Sequence, residues 1–114
     1  MQLFVFITSH GESIAPMLPK LVDAGISGAT IVDCKGMLAA MEESGEEPPP
    51  IYGSLRYLAS SSQRAGKMIF AVVRDEDIAK MKDIIHGVFN DLRLPDTGIF
   101  FTLPVTNWEG VPHK

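Results

Sequence analysis

Apolar residues along this chain fall into short continuous runs and into longer stripes of helical period. Four runs are typical of β-strands, because β-branched and aromatic residues fill consecutive positions: Gln2 to Thr8, Ala29 to Cys34, Lys67 to Val73 and Ile99 to Leu103. Successive strand residues point to opposite faces of a sheet. In the first run Val5 and Phe6 are therefore on opposite faces, and both are apolar. The pattern predicts strands that are apolar on both sides.

Two stretches have the period of amphipathic helices. The first, Ile14 to Val22, repeats apolar residues every three or four positions, and Ser13 is its expected N-cap. Pro16 and Pro19 predict an irregular start, since proline inside a helix removes a hydrogen bond. Gly25 is expected to end this helix in a left-handed C-cap conformation.

The second helical stretch follows an acidic triplet. Asp75, Glu76 and Asp77 suit the positive end of a helix dipole. The apolar residues after the triplet are spaced for one face of a helix. They are Ile78, Met81, Ile85, Val88, Phe89 and Leu92.

A long polar region separates the second and third strands. Residues Met37 to Gly66 begin with a segment that favours a short helix before Gly45, and three consecutive prolines then predict an extended stretch. Loops of this length in small domains tend to be functional, so we interpret it as a contact loop. From Pro104 onward the chain is a C-terminal extension without a readable pattern.

The order of these elements is strand, helix, strand, long loop, strand, helix, strand. It predicts an α+β domain with the ferredoxin-like βαββαβ arrangement, a four-stranded antiparallel sheet with two helices on one face. The second face of the sheet would then lie bare although its residues are apolar. We therefore expect a symmetric homo-oligomer that buries this face, most simply a homotrimer.

Composition narrows the classes of function. The 114 residues, 46% of them hydrophobic, suffice for one domain over 1–114 with one core. Ten basic against fourteen acidic side chains give a formal net charge of −4, which argues against a broad nucleic-acid-binding surface. The lone Cys34 excludes an internal disulfide and a thiolate metal cluster.

No apolar run reaches the length of about 18 residues that a membrane span needs. The start, MQLFVFITSH, lacks the basic region of a signal peptide. We therefore expect a cytoplasmic protein without direct membrane insertion.

The sequence offers no positive sign of catalysis or of a metal site. His10, His86 and His113 are far apart and have no metal-ligand spacing, and no histidine and carboxylate are placed to activate a nucleophile. Neither a P-loop nor a GxGxxG motif is present. We expect a protein that is not an enzyme and has no metal site.

Three segments carry a resemblance to a known family. AGISGATIVDCKG, VVRDEDI and PDTGIFF, together with the element order over nearly the whole chain, resemble the PII signal-transduction proteins, the nitrogen regulatory family. The resemblance implies a trimer that binds adenine nucleotides in clefts between subunits. It also implies that the long loop docks on a target protein such as a transporter or an enzyme.

Carried over by position, the resemblance implies a set of ligand-binding residues. Thr30 matches the family's strand threonine near the nucleotide, Lys35 and Gly36 match the start of the large loop, and Met37 follows them. The turn at the phosphates matches Asp96, Thr97 and Gly98. Arg64 and Lys67 lie at the other end of the loop and are expected to converge with Lys35 on an anion. The alternative interpretations are a solvated loop flank for the three basic residues and an ordinary strand residue for Thr30.

This chain departs from the family pattern where the phosphates would bind. Gly98 stands where the family has a phosphate-binding lysine, and the arginines of the family's C-terminal segment are missing. A triphosphate needs several cationic or amide partners. Among the adenine nucleotides AMP, ADP and ATP, we therefore expect the less charged AMP or ADP as the effector. The alternative function is that of a metal-binding trimer of the divalent-cation-tolerance type.

The resemblance also bears on the long loop, since Tyr52 and Tyr57 lie where some PII proteins are modified.

Overall fold

A computed structural model describes residues 1–45, 66–89 and 98–110 of the chain, except for the side chains at positions 38, 42 and 43. The described residues form strands and helices in an alternating order. These are β1 (Gln2–Thr8), a 3-10 helix (Gly11–Ser13), α1 (Met17–Asp23), β2 (Thr30–Cys34), α2 (Met37–Glu43), β3 (Gly66–Val73), α3 (Asp77–Val88) and β4 (Ile99–Pro104). Each predicted strand is confirmed to within one residue at either end.

The four described strands form one antiparallel sheet in the order β2-β3-β1-β4. β1 lies between β3 and β4, so that Phe6 is paired with Ile69 on one side and with Phe100 on the other. β2 pairs with the outer edge of β3. This order, with helices between the strands, confirms the predicted α+β class and its ferredoxin-like arrangement.

One face of the sheet, which we call the covered face, packs against α1 and α3. Phe4 and Phe6 of β1 and Ile69 of β3 are fully buried there. The ring of Phe6 meets that of Phe89 edge-on, with centroids 5.2 Å apart. The helices add buried residues at helical spacing, namely Met17 and Leu21 from α1 and Met81 and Ile85 from α3. These residues form the hydrophobic core of the described domain.

The other face, which we call the open face, is also apolar, and apart from Val5, which is 7% exposed, its side chains are partly or largely accessible. Within the described residues, none of its side chains belongs to the core cluster. The exposed fraction is 57% for Ile99, 50% for Leu103, 40% for Val32 and 38% for Phe101. The strand register places twelve side chains on this face: Leu3, Val5, Ile7, Thr30, Val32, Cys34, Met68, Phe70, Val72, Ile99, Phe101 and Leu103.

The start of the first helix is irregular, as predicted, but its cap is not Ser13. Ser13 is the last residue of the 3-10 helix, and Pro16 is the N-cap of α1. Pro19 is tolerated because its missing N–H falls among the first four, which have no partner within a helix. The prediction that Val22 lies on the buried stripe is wrong, because its side chain is 60% exposed.

The end of α1 confirms the predicted glycine cap. Gly25 has a φ of +86° and its N–H donates to the carbonyl of Val22 at 2.9 Å. The N–H of Ile26 donates to the carbonyl of Leu21 at 2.8 Å. These two bonds are the Schellman motif, which turns the chain so that Ile26 enters the core.

The end of the second predicted helix requires a correction. α3 stops at Val88, and Phe89 has left the helix with a φ of −113° and a ψ of 112°. Phe89 is nevertheless buried, because the extended backbone lets its ring pack against Phe6. Helical spacing alone does not reveal where the helix ends, since Phe89 would be buried in a helical as well as in an extended conformation. Leu92 lies outside the described residues.

The segments outside the sheet follow the prediction in part. α2 is the predicted short helix before Gly45, and the rest of the long loop, residues 46–65, lies outside the described residues.

After β4 the C-terminal extension continues with Val105, whose N–H donates to the carbonyl of Met1 at 3.1 Å. Among the described residues, no helix has the length and apolar character that a bilayer crossing requires.

Candidate functional site

The sheet topology brings four strand ends together. β1 and β2 finish at the end of the sheet where β3 and β4 begin, because each of the latter pairs antiparallel with β1. A cavity of about 440 Å³ opens there, and we call it the loop-end cavity. Its lining consists of Ile7, Thr8, Ser9, Cys34, Lys35, Gly36, Met37, Ala39, Gly66, Met68 and Gly98.

Four of the residues predicted to bind a ligand line this cavity. Lys35, Gly36 and Met37 form the link between β2 and α2, and Gly98 immediately precedes β4. Gly98 is distant in sequence from the other three, yet the strand register places the two segments at one end of the sheet. Met37 is 76% exposed, so its thioether side chain is accessible to a ligand or to a partner.

Gly98 is required by contacts within the chain. A Cβ at this position would lie 2.6 Å from the carbonyl oxygen of Ile7 and 3.0 Å from the ring of Phe6, and φ is +150°. The resemblance places Gly98 in a turn at the phosphates. The structure shows a reason for glycine within the chain, which is the close approach of the start of β4 to β1.

Gly66 has a similar role on the opposite side of the cavity. A Cβ there would lie 2.9 Å from the carbonyl oxygen of Cys34, its partner on β2. Two positions of the lining are therefore restricted to glycine by neighbouring backbone.

Thr30 is separated from the other predicted residues. It opens β2, pairs with Phe70 and lies at the opposite end of the strand from Lys35. It lines a second cavity of about 320 Å³, which we call the tail cavity because the C-terminal segment forms one side of it. The lining of the tail cavity consists of Leu3, Gly28, Thr30, Phe70, Ala71, Val72, Trp108, Glu109 and Gly110.

Lys67 faces away from the loop-end cavity. Its register with Thr8 and Asp33 puts it on the covered face, and its Nζ donates a hydrogen bond to Oδ1 of Asp33 at 2.5 Å. The carboxylate of Asp33 thus balances the charge of Lys67. The structure does not bring Lys67 and Lys35 together on the cavity.

The remaining predicted site residues lie outside the described residues. These are Arg64 in the long loop and Asp96 and Thr97 in the turn before β4. Tyr52 and Tyr57 are outside as well.

Several lining residues were not predicted to bind a ligand. Thr8 ends β1, Ser9 follows it, and Cys34 ends β2. The signal that finds them is the strand topology, because a βαββαβ sheet puts the ends of β1 and β2 beside the starts of β3 and β4. The family resemblance assigns none of these positions a binding role.

The chemistry of the loop-end cavity combines an apolar wall with one cation. Lys35 is the one charged residue among the described residues of its lining. Ile7, Met37 and Met68 supply aliphatic and thioether groups, and Ser9 supplies a hydroxyl. Such a lining suits a ligand with an apolar or aromatic body and a single anionic group.

Metal-binding side chains are not grouped in the described part of the chain, where no three of His, Cys, Asp and Glu come together to hold an ion. Comparisons with known proteins add no further constraint. No protein-family model matches the chain, and no curated protein is significantly similar to it.

Proposed function

We propose that this protein is a PII-like regulator. In this proposal it forms a homotrimer, senses a small metabolite such as an adenine nucleotide at clefts between subunits, and acts on a partner protein through the long loop. The observation that carries the proposal is the meeting of Lys35, Gly36, Met37 and Gly98 on one cavity. Residues 46–65 of the long loop are joined to the same end of the sheet, through α2 and through β3.

The open face supports the oligomeric part of the proposal. Ile99, Phe101 and Leu103 are large, apolar and exposed, and they are successive residues on the outward side of one edge strand. Soluble monomers rarely expose contiguous apolar surface of this kind. Three copies arranged around an axis would cover it, and the ends of each sheet would then lie beside a neighbouring subunit.

The position of the cavity supports a sensing role. Gly36 and Met37 lie between β2 and α2, and the N–H of Ala40 donates to the carbonyl of Gly36 at 3.0 Å. A ligand that contacts Gly36 or Met37 therefore acts on the first turn of α2, at the start of the long loop. Ligand binding changes loop populations only if the ligand has different affinities for the loop states.

The charge of the cavity favours a lightly charged nucleotide. Lys35 provides one ammonium group, whereas a triphosphate carries several negative charges that need cationic or amide partners. Within the adenine series we therefore expect AMP or ADP to bind more tightly than ATP.

Titration calorimetry of the whole chain against AMP, ADP and ATP tests the proposal, with copper and zinc ions titrated in parallel. We expect saturable binding of AMP or ADP, and a loss of affinity of about tenfold in Lys35→Gln, because one charge-assisted bond is removed. Lys20→Gln, an exposed lysine of α1, is the matched control and should bind as the wild type does. Binding of the metal ions without nucleotide binding would support the divalent-cation alternative, and no binding of any ligand would reject the effector role.

A further inference from the structure

The tail cavity has a lining that differs in kind from that of the loop-end cavity. It lies between the segment after β4 and the starts of β1 and β2, at the opposite end of the open face. Trp108 and Phe70 give it two aromatic side chains. Trp108 is 50% exposed, which leaves a large part of the indole available to a ligand. A volume of about 320 Å³ is sufficient for a small organic molecule.

The charge of this lining is negative. Glu109 is the one charged residue among the described residues around the tail cavity, and no lysine or arginine belongs to that set. Thr30 adds a hydroxyl that can donate or accept a hydrogen bond. An anionic ligand would meet a carboxylate here without a balancing cation.

We propose that the tail cavity binds a small organic cation of the alkylammonium class. The faces of aromatic rings carry negative potential and attract cations, and tryptophan does so most strongly. The Glu109 carboxylate supplies the opposite charge, and Leu3 and Val72 contact the alkyl part of the ligand. This site is separate from the proposed nucleotide site and goes beyond the proposed function, which gives the tail cavity no cationic ligand. Four of its lining residues also lie on the open face, so in the proposed homotrimer the ligand would bind at the margin of the subunit interface: Leu3, Thr30, Phe70 and Val72.

Trp108 makes the proposal directly measurable, because it is the single tryptophan of the chain. Its fluorescence is recorded while choline is added to the full-length protein, up to about 50 mM, where a site with a millimolar dissociation constant saturates. The parallel titration uses 3,3-dimethyl-1-butanol, which has the shape of choline without its charge. We expect a saturable change of emission with choline and at least about tenfold weaker binding of the neutral alcohol.

Variants separate this site from a general surface effect, with binding measured by saturation transfer from the protein to the choline methyl protons. Glu109→Gln should weaken choline binding about threefold, as expected for an accessible charge pair. Trp108→Leu should weaken it about tenfold. Asp83→Asn, which removes one exposed carboxylate of α3, is the matched control and should leave binding unchanged.

Two results would overturn the proposal. One is the absence of any saturable choline signal in the wild type. The other is equal binding of choline and the neutral alcohol, which would make the tail cavity a purely apolar pocket. Neither result bears on nucleotide binding at the loop-end cavity.

Discussion

The two faces of the sheet have the same kind of residues but different surroundings. On the covered face Phe4, Phe6 and Ile69 are fully buried beneath α1 and α3. On the open face Phe101 and Leu103, which come from the same sheet and have similar side chains, are 38% and 50% exposed. The strand pattern therefore identifies which faces of the sheet are apolar. It does not identify what covers each face.

This contrast defines where stability should reside. The covered face stabilises each chain by itself, so mutations there should act at every protein concentration. The open face adds to stability only when something buries it, and in our proposal another copy of the chain does so. The predictions below use this difference.

The largest effect is expected from a cavity in the covered face. Phe6→Ala removes a ring that is fully buried and meets Phe89 at 5.2 Å. We expect the free energy of unfolding to fall by about 3–5 kcal/mol, since the cavity cannot be refilled by its neighbours. Denaturant unfolding measures this change, which should be the same at low and high protein concentration. A loss below about 1 kcal/mol would contradict the assignment of Phe6 to the core.

A charge on the open face should act on assembly instead of folding. Phe101→Glu introduces a carboxylate at the centre of β4, and we expect it to dissociate the proposed homotrimer because an unpaired charge is costly to bury. Val32→Glu, on the opposite edge strand, tests the same face at a second position. Val22→Glu, at a 60% exposed position on α1, is the matched control and should remain trimeric. Sedimentation velocity distinguishes the outcomes, and equal behaviour of all three variants would exclude the open face as the interface.

The glycine before β4 should be intolerant of any side chain. Gly98→Ala places a Cβ 2.6 Å from the Ile7 carbonyl oxygen and adds strain at a φ of +150°, so we expect a loss of about 2–3 kcal/mol in unfolding free energy. Gly36→Ala is the control, because a Cβ at Gly36 would meet nothing within 4 Å. Equal stability of the two variants would show that the start of β4 does not lie in close contact with β1.

The smallest effect is expected at the rim of the covered face. The side-chain amide of Gln2 donates to Oδ1 of Asp75 at 3.2 Å and, with the amino group of Met1, holds the pKa of that carboxyl below its ordinary value of 3.8. A folded-state pKa below the unfolded one stabilises the protein above the unfolded pKa, and this stabilisation is lost as the pH falls through the folded pKa.

Gln2→Ala should therefore raise the pKa of Asp75 and slightly lower stability at neutral pH, with the difference disappearing in acid. An NMR titration of the Asp75 carboxyl carbon measures the shift. Identical midpoints in the two proteins would show that Gln2 does not stabilise the charged form.

Most of the fold was predictable because local patterns determine it. Runs of β-branched and aromatic residues located every strand to within one residue, and Gly25 predicted a C-cap that the structure shows as a Schellman motif. One prediction failed where a tertiary contact decides, because Phe89 leaves the helix and packs against Phe6. A second failed locally, because Ser13 belongs to a 3-10 helix and Pro16 is the N-cap of α1.

The candidate site was predictable in part. Family motifs pointed to Lys35, Gly36, Met37 and Gly98, which line one cavity. The same motifs grouped Thr30 with them, although it lines the other cavity, because motif matching carries no information on which end of a strand faces which pocket. The path of Trp108 was unreadable, since the extended segment after β4 has no periodicity.

The molar mass of the chain in solution, measured by light scattering across a wide concentration range, tests the central claim most directly. The account predicts a particle of three times the 12.4 kDa chain mass at micromolar concentration. A particle of 12.4 kDa that persists as the concentration rises would mean that the open face stays in water, and would contradict the account.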